Sequence, residues 1–196
     1  MKRFLGRGRF LGRGRFVVGI LAVAVLALSG CAGGNRTRPL APFVGPATQV
    51  FDDALEPGAV GLDLEQPKSP IRDAAFRERV KSSDAVVRAR VATVTGKKDG
   101  VGKAVYELNV RVMEVIWGPY PPKQESISLL VTPAGGAYGI VKSMESRLVG
   151  KDMLVFLKLF SVPDGDGEYH FHASGDSEVI RKAVREATAY DDKSDK

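Results

Sequence analysis

The sequence predicts a mainly β domain, a five-stranded barrel with a short N-terminal helix and a C-terminal amphipathic helix. Apolar and polar residues alternate with a period of two in several segments, which is typical of half-buried strands. Turn residues such as Gly, Pro and Asp separate these segments. Near the C terminus, apolar residues recur instead at the spacing of a helix. The length of 196 residues suits one domain with additional segments.

The N-terminal helix is predicted over 71–81. Ser69 precedes Pro70, and a capping hydroxyl followed by proline at the first helical position is typical of a helix start. The segment is short, so we expect its helicity to depend on packing against the rest of the domain.

The first two strands are predicted over 84–94 and 106–117, with a hairpin loop of sequence GKKDGVGK (96–103) between them. Alternate positions are apolar in both strands. In the second strand the alternation slips by one residue at Met113-Glu114, which predicts a β-bulge there.

Three further strands are predicted over 127–131, 153–160 and 168–173. A long Gly-rich crossing over 133–150 precedes the second of these, and the turn PDGDG precedes the third. Five strands with a long connection between the third and the fourth match an OB-type barrel. The amphipathic helix that follows is predicted over 176–190.

The N terminus has the layout of a secretory signal. Residues 1–16 contain six basic side chains and no acidic one, and an apolar run over 17–28 follows. This run is about a dozen residues long, whereas a membrane-spanning helix needs roughly 20. We therefore expect a signal peptide and not a permanent transmembrane anchor.

The segment Leu28-Ser29-Gly30-Cys31 contains the only cysteine of the chain and resembles the lipobox of bacterial lipoproteins. The resemblance implies a diacylglyceryl group on Cys31, removal of residues 1–30 and acylation, for example with palmitate, of the new amino terminus. Several acyl chains exceed what stable membrane attachment requires, so the lipid bilayer is a predicted partner. In the lipoprotein family, Asp after the cysteine is associated with the inner membrane. This chain has Ala32, which favours the outer membrane of the cell envelope.

The resemblance to a second family covers residues 83–160. The run SDAVVRARVATVT, YELNVRVMEVIWG, ISLLVTP and LVGKDMLVFLKL resembles exported OB-like modules related to the netrin and metalloproteinase-inhibitor domain. The disulfides of the eukaryotic members are absent here. Those members use an amino-terminal cysteine to contact a protease metal, and that role is not carried over because Cys31 is assigned to the lipid.

The charge of the mature chain argues against nucleic-acid binding. The net charge of the full sequence is +6, with 29 basic and 23 acidic residues. Six of the basic residues lie in the predicted signal, so its removal leaves 23 of each sign and a net charge of zero. Backbone-driven binding of nucleic acid requires a basic surface. We therefore expect no nucleic-acid partner.

The predicted organisation has four parts: a signal peptide over 1–30, a tether over 31–68, the OB-like domain with its C-terminal helix over 69–190, and a disordered tail over 191–196. The tether is rich in Pro and Gly and has no sustained period. Within it, the short pieces VFDDAL and VGLDL have the composition to dock on the domain.

His170 and His172 are candidate metal ligands. Two-residue spacing on a strand places both rings on one side, and zinc uses such pairs together with a third ligand. The same spacing also arises when an edge strand places polar residues outward and Tyr169 and Phe171 inward. A catalytic role for the histidines is the third reading. Surface strand, metal site and catalysis are the three interpretations that the sequence leaves open.

OB-type barrels commonly bind partners through strands two and three and through the loops between strands one and two and between strands four and five, here 96–103 and 163–167. A Pro-rich aromatic cluster lies between strands two and three. The candidate binding residues are Lys97, Lys98 and Lys103 in the first of these loops, and Trp117 and Tyr120 in the aromatic cluster. The alternative is that Trp117 caps the core of the barrel.

The function predicted from these features is a membrane-anchored, non-enzymatic binding or assembly module for a protein or glycan partner in the cell envelope. The sequence contains no phosphate-binding loop and no G-x-S-x-G nucleophile motif, and we expect no cofactor. The alternative is a metal-dependent envelope hydrolase that uses His170 and His172.

Overall fold

The structure is a computed structural model that describes residues 39–62, 69–163 and 165–194. These residues form a mainly β fold, in which one curled, mixed sheet carries helices on both faces. The strands are β1 (Ala54–Leu55), β2 (Ala85–Lys98), β3 (Ala104–Trp117), β4 (Ser126–Val131), β5 (Asp152–Val162) and β6 (Gly165–Gly175). The α-helices are α1 (Ala47–Val50), α2 (Ala74–Ser82), α3 (Tyr138–Leu148) and α4 (Glu178–Ser194). Two 3₁₀ helices span Pro57–Val60 and Pro70–Arg72.

The sheet has the strand order β1-β6-β5-β2-β3-β4, which makes six strands within the described residues. The expectation of five strands is therefore wrong by one, because β2 to β6 are the five predicted strands and β1 adds a sixth. Ala54 and Leu55 pair in parallel with His172 and Ala173 of β6, whereas the other pairings are antiparallel. A two-residue strand is too short to produce an alternating pattern, so β1 was not predictable from the sequence.

The predicted bulge in β3 is confirmed by the pairing register of β2 and β3. Arg88 pairs with Glu114, and the next residue, Ala89, pairs with Val112, which leaves Met113 as the extra residue of β3. A bulge of this kind bends the strand and increases its local twist, consistent with the curl of the sheet.

The helix predicted over 71–81 is present as α2, but its start differs from the prediction. Pro70–Arg72 form a separate 3₁₀ turn, and α2 begins at Ala74. The cap is Asp73, whose carboxylate accepts a hydrogen bond from the backbone N–H of Ala75 at 2.9 Å. A carboxylate at this position satisfies a free N–H of the first turn as well as a serine hydroxyl does.

Helix α3 lies in the Gly-rich crossing between β4 and β5, where no helix was predicted. Its two buried side chains, Val141 and Leu148, lie on either side of a kink at Met144, and both belong to the first core. They pack on the sheet, so tertiary contact accounts for a helix whose sequence begins next to several glycines.

Two hydrophobic cores lie on opposite faces of the sheet. The first core packs under α3 and the 3₁₀ helix Pro57–Val60, and the second packs under α1, α2 and α4. The largest fully buried side chains of the two cores include Phe51, Phe156, Phe160, Phe171, Leu108, Leu129, Leu148, Met153 and Leu157.

Residues 39–62, which we call the strap, pack on the sheet along β6 and are not a free tether. Phe51 and Val60 are each 1% exposed, and Leu55 is 4% exposed. The tether predicted over 31–68 therefore needs correction in its described part. The apolar side chains of the strap are too widely spaced to show a period in the sequence. In the structure they nevertheless cover the sheet next to β6 and contribute to both cores.

The C-terminal helix extends further than predicted, because α4 continues to Ser194 and includes most of the expected disordered tail. The signal peptide, Cys31, residues 32–38 and 63–68 of the predicted tether, and residues 195–196 lie outside the described residues. Among the helices of the described part of the chain, none has the length and apolar character that crossing a membrane requires.

Candidate functional site

The predicted binding residues lie at opposite ends of β3. Lys97, Lys98 and Lys103 are at the β2–β3 turn, whereas Trp117 ends β3 and Tyr120 follows it. Because β3 contains 14 residues, its two ends are roughly 40 Å apart at the usual rise of a strand. The lysine loop and the aromatic cluster therefore do not form one continuous surface.

The hairpin over 93–109, which we call the arm, presents a strand edge. The pairing of β2 with β5 covers only Ala85 to Arg90, so the outer half of β2 pairs with β3 alone among the described strands. Strand edges with unpaired backbone N–H and C=O groups accept additional strands from partner chains. The outer half of β2 is thus chemically suited to bind an extended segment.

The turn at the end of the arm has a defined shape. The Asp99 carboxylate accepts hydrogen bonds from the backbone N–H groups of Val101 at 3.0 Å and Lys103 at 2.7 Å. Val101 is 79% exposed. Lys97 forms an ion pair with Glu107, while Lys98 and Lys103 are exposed. The turn therefore offers two ammonium groups on a backbone that is already ordered.

A groove of about 520 Å³ lies at the opposite end of the sheet. Its lining includes Leu40 from the strap, Tyr120, Pro121 and Lys123 from the loop after β3, and Tyr169 from β6. Tyr120 is 50% exposed at this groove. The pair of tyrosines and the prolines make the groove amphipathic, with apolar surface beside hydroxyl and ammonium groups.

Trp117 precedes the loop that lines this groove, but its side chain packs on the second core. It is half-buried and packs on the second hydrophobic cluster together with Ile116 and residues of α4. This placement agrees with the alternative that Trp117 caps the core. Of the two predicted aromatic binding residues, Trp117 and Tyr120, only Tyr120 is therefore exposed.

Asp84 and Gly118 position the loop that carries Tyr120. The Asp84 carboxylate accepts a hydrogen bond from the backbone N–H of Leu159 at 2.9 Å, and its carbonyl accepts one from Tyr120 at 3.0 Å. Gly118 has a φ of +134°, and a Cβ there would collide with the backbone of Asp84 and Ala85. Only glycine allows the chain to pass this close. Burial, with a contribution from the Asp84 charge, raises the pKa of Tyr169.

The two histidines of β6 lie on one side of the strand, as their spacing predicts, but the strap covers them. His170 Nδ1 is 2.8 Å from Asp53 Oδ2, and its ring stacks on Phe43 with 3.4 Å between the centroids. Phe171 points into the first core and is fully buried. The expectation of an exposed edge strand is therefore wrong for this region, because β1 and the strap lie against β6.

His172 is held between two carboxylates of the strap. Its Nδ1 is 2.8 Å from Asp52 Oδ1, and its Nε2 is 3.2 Å from Glu56 Oε1. Burial opposes the charged form of His172, but the hydrogen bonds with Asp52 and Glu56 outweigh it and raise the pKa of the ring. Burial likewise opposes the charge of Asp52, yet the hydrogen bond and charge of His172 prevail and lower its pKa.

Arg79 of α2 completes this group of charged side chains. It is 8% exposed, and its Nε donates a hydrogen bond to the Val50 carbonyl at 3.0 Å. Burial lowers the pKa of Arg79, and the charges of Asp52 and Glu56 partly offset this effect. The group thus links α2 to the strap through the hydrogen bond of Arg79 with Val50, and it links the strap to β6 through the contacts of His172 with Asp52 and Glu56.

This arrangement can hold the strap on β6, but it offers no coordination sphere for a metal. Both ring nitrogens of His172 and Nδ1 of His170 face carboxylates. In the part of the chain that the structure describes, no three His, Cys, Asp or Glu side chains are grouped so that they could hold a metal ion.

Sequence reasoning missed the carboxylates Asp52, Asp53 and Glu56 and the buried Arg79. The only available signal was an acidic pair inside the apolar piece VFDDAL. Nothing local connects that pair with histidines about 120 positions later, because the contact depends on where the strap crosses the sheet.

Comparison with known proteins gives no match: no family model, no curated protein and no solved structure matches the chain.

Proposed function

We propose that the chain is a lipoprotein of the cell envelope, held at the outer membrane more readily than at the inner membrane by acylated Cys31. We further propose that its folded domain is a non-enzymatic binding or assembly module for a protein or glycan partner. The basic segment over 1–16, the apolar run over 17–28 and the lipobox support the anchor.

The proposed type of domain is an OB-like barrel that is partly open. Strands β2 to β6, the five predicted from the sequence, lie side by side in one curled sheet, and α3 occupies the long connection between the third and fourth of them. OB-type folds are five-stranded, partly open Greek-key barrels, and they bind ligands through strands two and three and through adjacent loops.

The arm is the observation that carries the binding role. In its long hairpin the outer half of β2 pairs with β3 alone among the described strands, and the exposed Lys98 and Lys103 lie at the turn. An extended segment of a partner protein can add to such an edge by backbone hydrogen bonds. The two ammonium groups beside it suit acidic groups of a protein or of a glycan.

The test compares charge reversals on the arm with charge reversals elsewhere. We expect Lys98→Glu with Lys103→Glu to lower recovery of partners after cross-linking in the native envelope. Lys142→Glu with Arg147→Glu changes the same number of exposed charges on α3 and should leave recovery unchanged. Melting temperatures of both double variants should stay close to the wild-type value, since exposed substitutions usually alter stability by less than about 0.5 kcal/mol. Equal recovery from the two double variants would contradict a binding role for the arm.

No observation favours the alternative of a metal-dependent hydrolase, because the ring nitrogens of His172 are engaged by Asp52 and Glu56. Elemental analysis of the purified protein discriminates between the two functions. Stoichiometric zinc in the wild type that is lost in the His172→Gln variant would favour the hydrolase over the binding module.

A further inference from the structure

We propose that the groove beside Tyr120 docks on the surface of the phospholipid bilayer that holds Cys31, so that the arm points away from the membrane. This inference rests on the proposed lipid anchor and assigns a second, direct contact between the domain and the membrane. Three observations carry it: the shortness of the chain before the strap, the position of Leu40, and the chemistry of the exposed residues beside it.

The packing of the strap leaves little chain between the lipid and the domain. A free tether over 31–68 would allow the domain to move far from the bilayer. Phe51, Leu55 and Val60 are instead buried in the cores, so the strap cannot extend without exposing them. Nine positions separate Cys31 from Leu40, and a fully extended chain of that length spans only roughly 30 Å.

The strap enters the domain at the groove. Leu40 lines the groove, and Pro42 forms a β-bridge with Ser161 near the end of β5. The groove end of the sheet is therefore the part of the domain nearest to the anchor along the chain. The end of the arm lies roughly 40 Å away from this end along β3.

The exposed residues of the groove have the chemistry of a membrane interface. Tyr120 is 50% exposed and combines an apolar ring with a hydroxyl, the type of side chain that is enriched where lipid headgroups meet water. Pro121 adds exposed apolar surface. Lys123 is exposed, and its long side chain can rest on apolar surface while the ammonium group contacts lipid phosphate.

This orientation is consistent with the role proposed for the arm. With the groove on the bilayer, the edge of β2 and the lysines of the turn face the envelope, where a protein or glycan partner is accessible. The mature chain has no net charge, so docking depends on the local chemistry of the groove and not on a general attraction to anionic lipid.

The experiment uses the full lipidated chain in vesicles of phosphatidylethanolamine and phosphatidylglycerol that contain a lipid with a quencher on its headgroup. Because Cys31 carries the lipid, a fluorescent label can be attached to a single introduced thiol. Pro121→Cys places the label at the groove, Val101→Cys at the end of the arm and Lys142→Cys on α3. We expect strong quenching and a blue shift of the label at position 121 and neither at positions 101 and 142.

A charge reversal serves as the second measurement. Lys123→Glu in the Pro121→Cys background should reduce the quenching at position 121 without changing the melting temperature, because Lys123 is exposed. Two outcomes overturn the inference, and they differ in whether the lipid anchor is also contradicted. If the protein floats with the vesicles but position 121 is quenched no more than position 101, the lipid anchor is supported and docking of the groove on the bilayer is wrong. The groove would then be available to a protein or glycan. If the protein carries no lipid and does not float, the anchor and the docking fail together.

Discussion

Asp52 and His172 are 120 positions apart in the chain, yet the carboxylate Oδ1 of Asp52 lies 2.8 Å from the ring Nδ1 of His172. Glu56 lies 3.2 Å from the other ring nitrogen. The imidazole is thus enclosed between two acidic side chains of the strap. This pairing contributes to holding the strap on β6, and the charge of both partners makes its contribution dependent on pH.

We expect the Asp52–His172 pair to stabilise the fold most at mildly acidic pH. The pKa of His172 is raised above 6.5, so its contribution is fully present below that pH and is lost as the pH rises through the folded-state pKa. The pKa of Asp52 is lowered below 3.8, so its contribution is present above that pH and is lost as the pH falls through the folded-state pKa.

The measurement is the free energy of unfolding of the wild type and of His172→Gln by denaturant titration across this range. The difference between the two proteins should be largest near about pH 5 and smaller near pH 3 and pH 8. Lys142→Gln, an exposed change on α3, should give a small difference that does not vary with pH. A constant difference for His172→Gln would contradict the assignment of the pair.

Phe51→Ala should destabilise the domain by about 3–5 kcal/mol, the usual effect of removing a buried phenylalanine side chain. Phe51 is 1% exposed and packs in the second core, whereas Val44 in the same strap is 63% exposed. Val44→Ala should therefore change the free energy of unfolding by less than about 0.5 kcal/mol. Equally small effects of both substitutions in chemical denaturation would show that the strap is a tether after all.

Gly118→Ala should destabilise the domain by at least about 2 kcal/mol, because it combines a left-handed backbone with a collision against Asp84 and Ala85. Gly139 in α3 is the matched control, since a Cβ there meets no atom and its φ is not positive. Gly139→Ala introduces neither strain nor a collision, so it should not lower the melting temperature. Similar melting temperatures for the two variants would be inconsistent with the close approach at Gly118.

If the proposed lipid anchor is correct, Cys31→Ser should prevent lipidation, because a serine hydroxyl does not replace the thiol that the proposed diacylglyceryl attachment requires. The variant should lose labelling by radioactive palmitate and accumulate as an uncleaved or soluble form. Fractionation of cells that express the wild type and the variant measures this directly. Continued palmitate labelling of the serine variant in the membrane fraction would refute the lipobox interpretation.

The described fold was predictable where the pattern is local. Alternation, turn residues and helical spacing predict strands β2 to β6, the hairpin between β2 and β3, the bulge at Met113, and the helices α2 and α4. The α3 helix was missed because its stability depends on burying Val141 and Leu148 and not on its own propensity. The docking of VFDDAL and of Val60 from VGLDL was anticipated from their composition and is confirmed by the burial of Phe51, Leu55 and Val60. The course of the strap along β6 was not predicted, because its apolar residues show no period and contribute to two different cores.

The sequence by itself determined the mainly β class of the domain and the placement of His170 and His172 on one side of β6, whereas export and lipid attachment at Cys31 stay predictions. Periodicity is a property of neighbouring residues, and so these features need no knowledge of distant contacts. Tertiary structure alone decided that the strap carries Asp52, Asp53 and Glu56 to those histidines. It also decided that Leu40 of the strap lines one groove together with Tyr120 and Tyr169. Both outcomes depend on pairing between segments that are remote in the chain, which is stable only when many buried contacts form together.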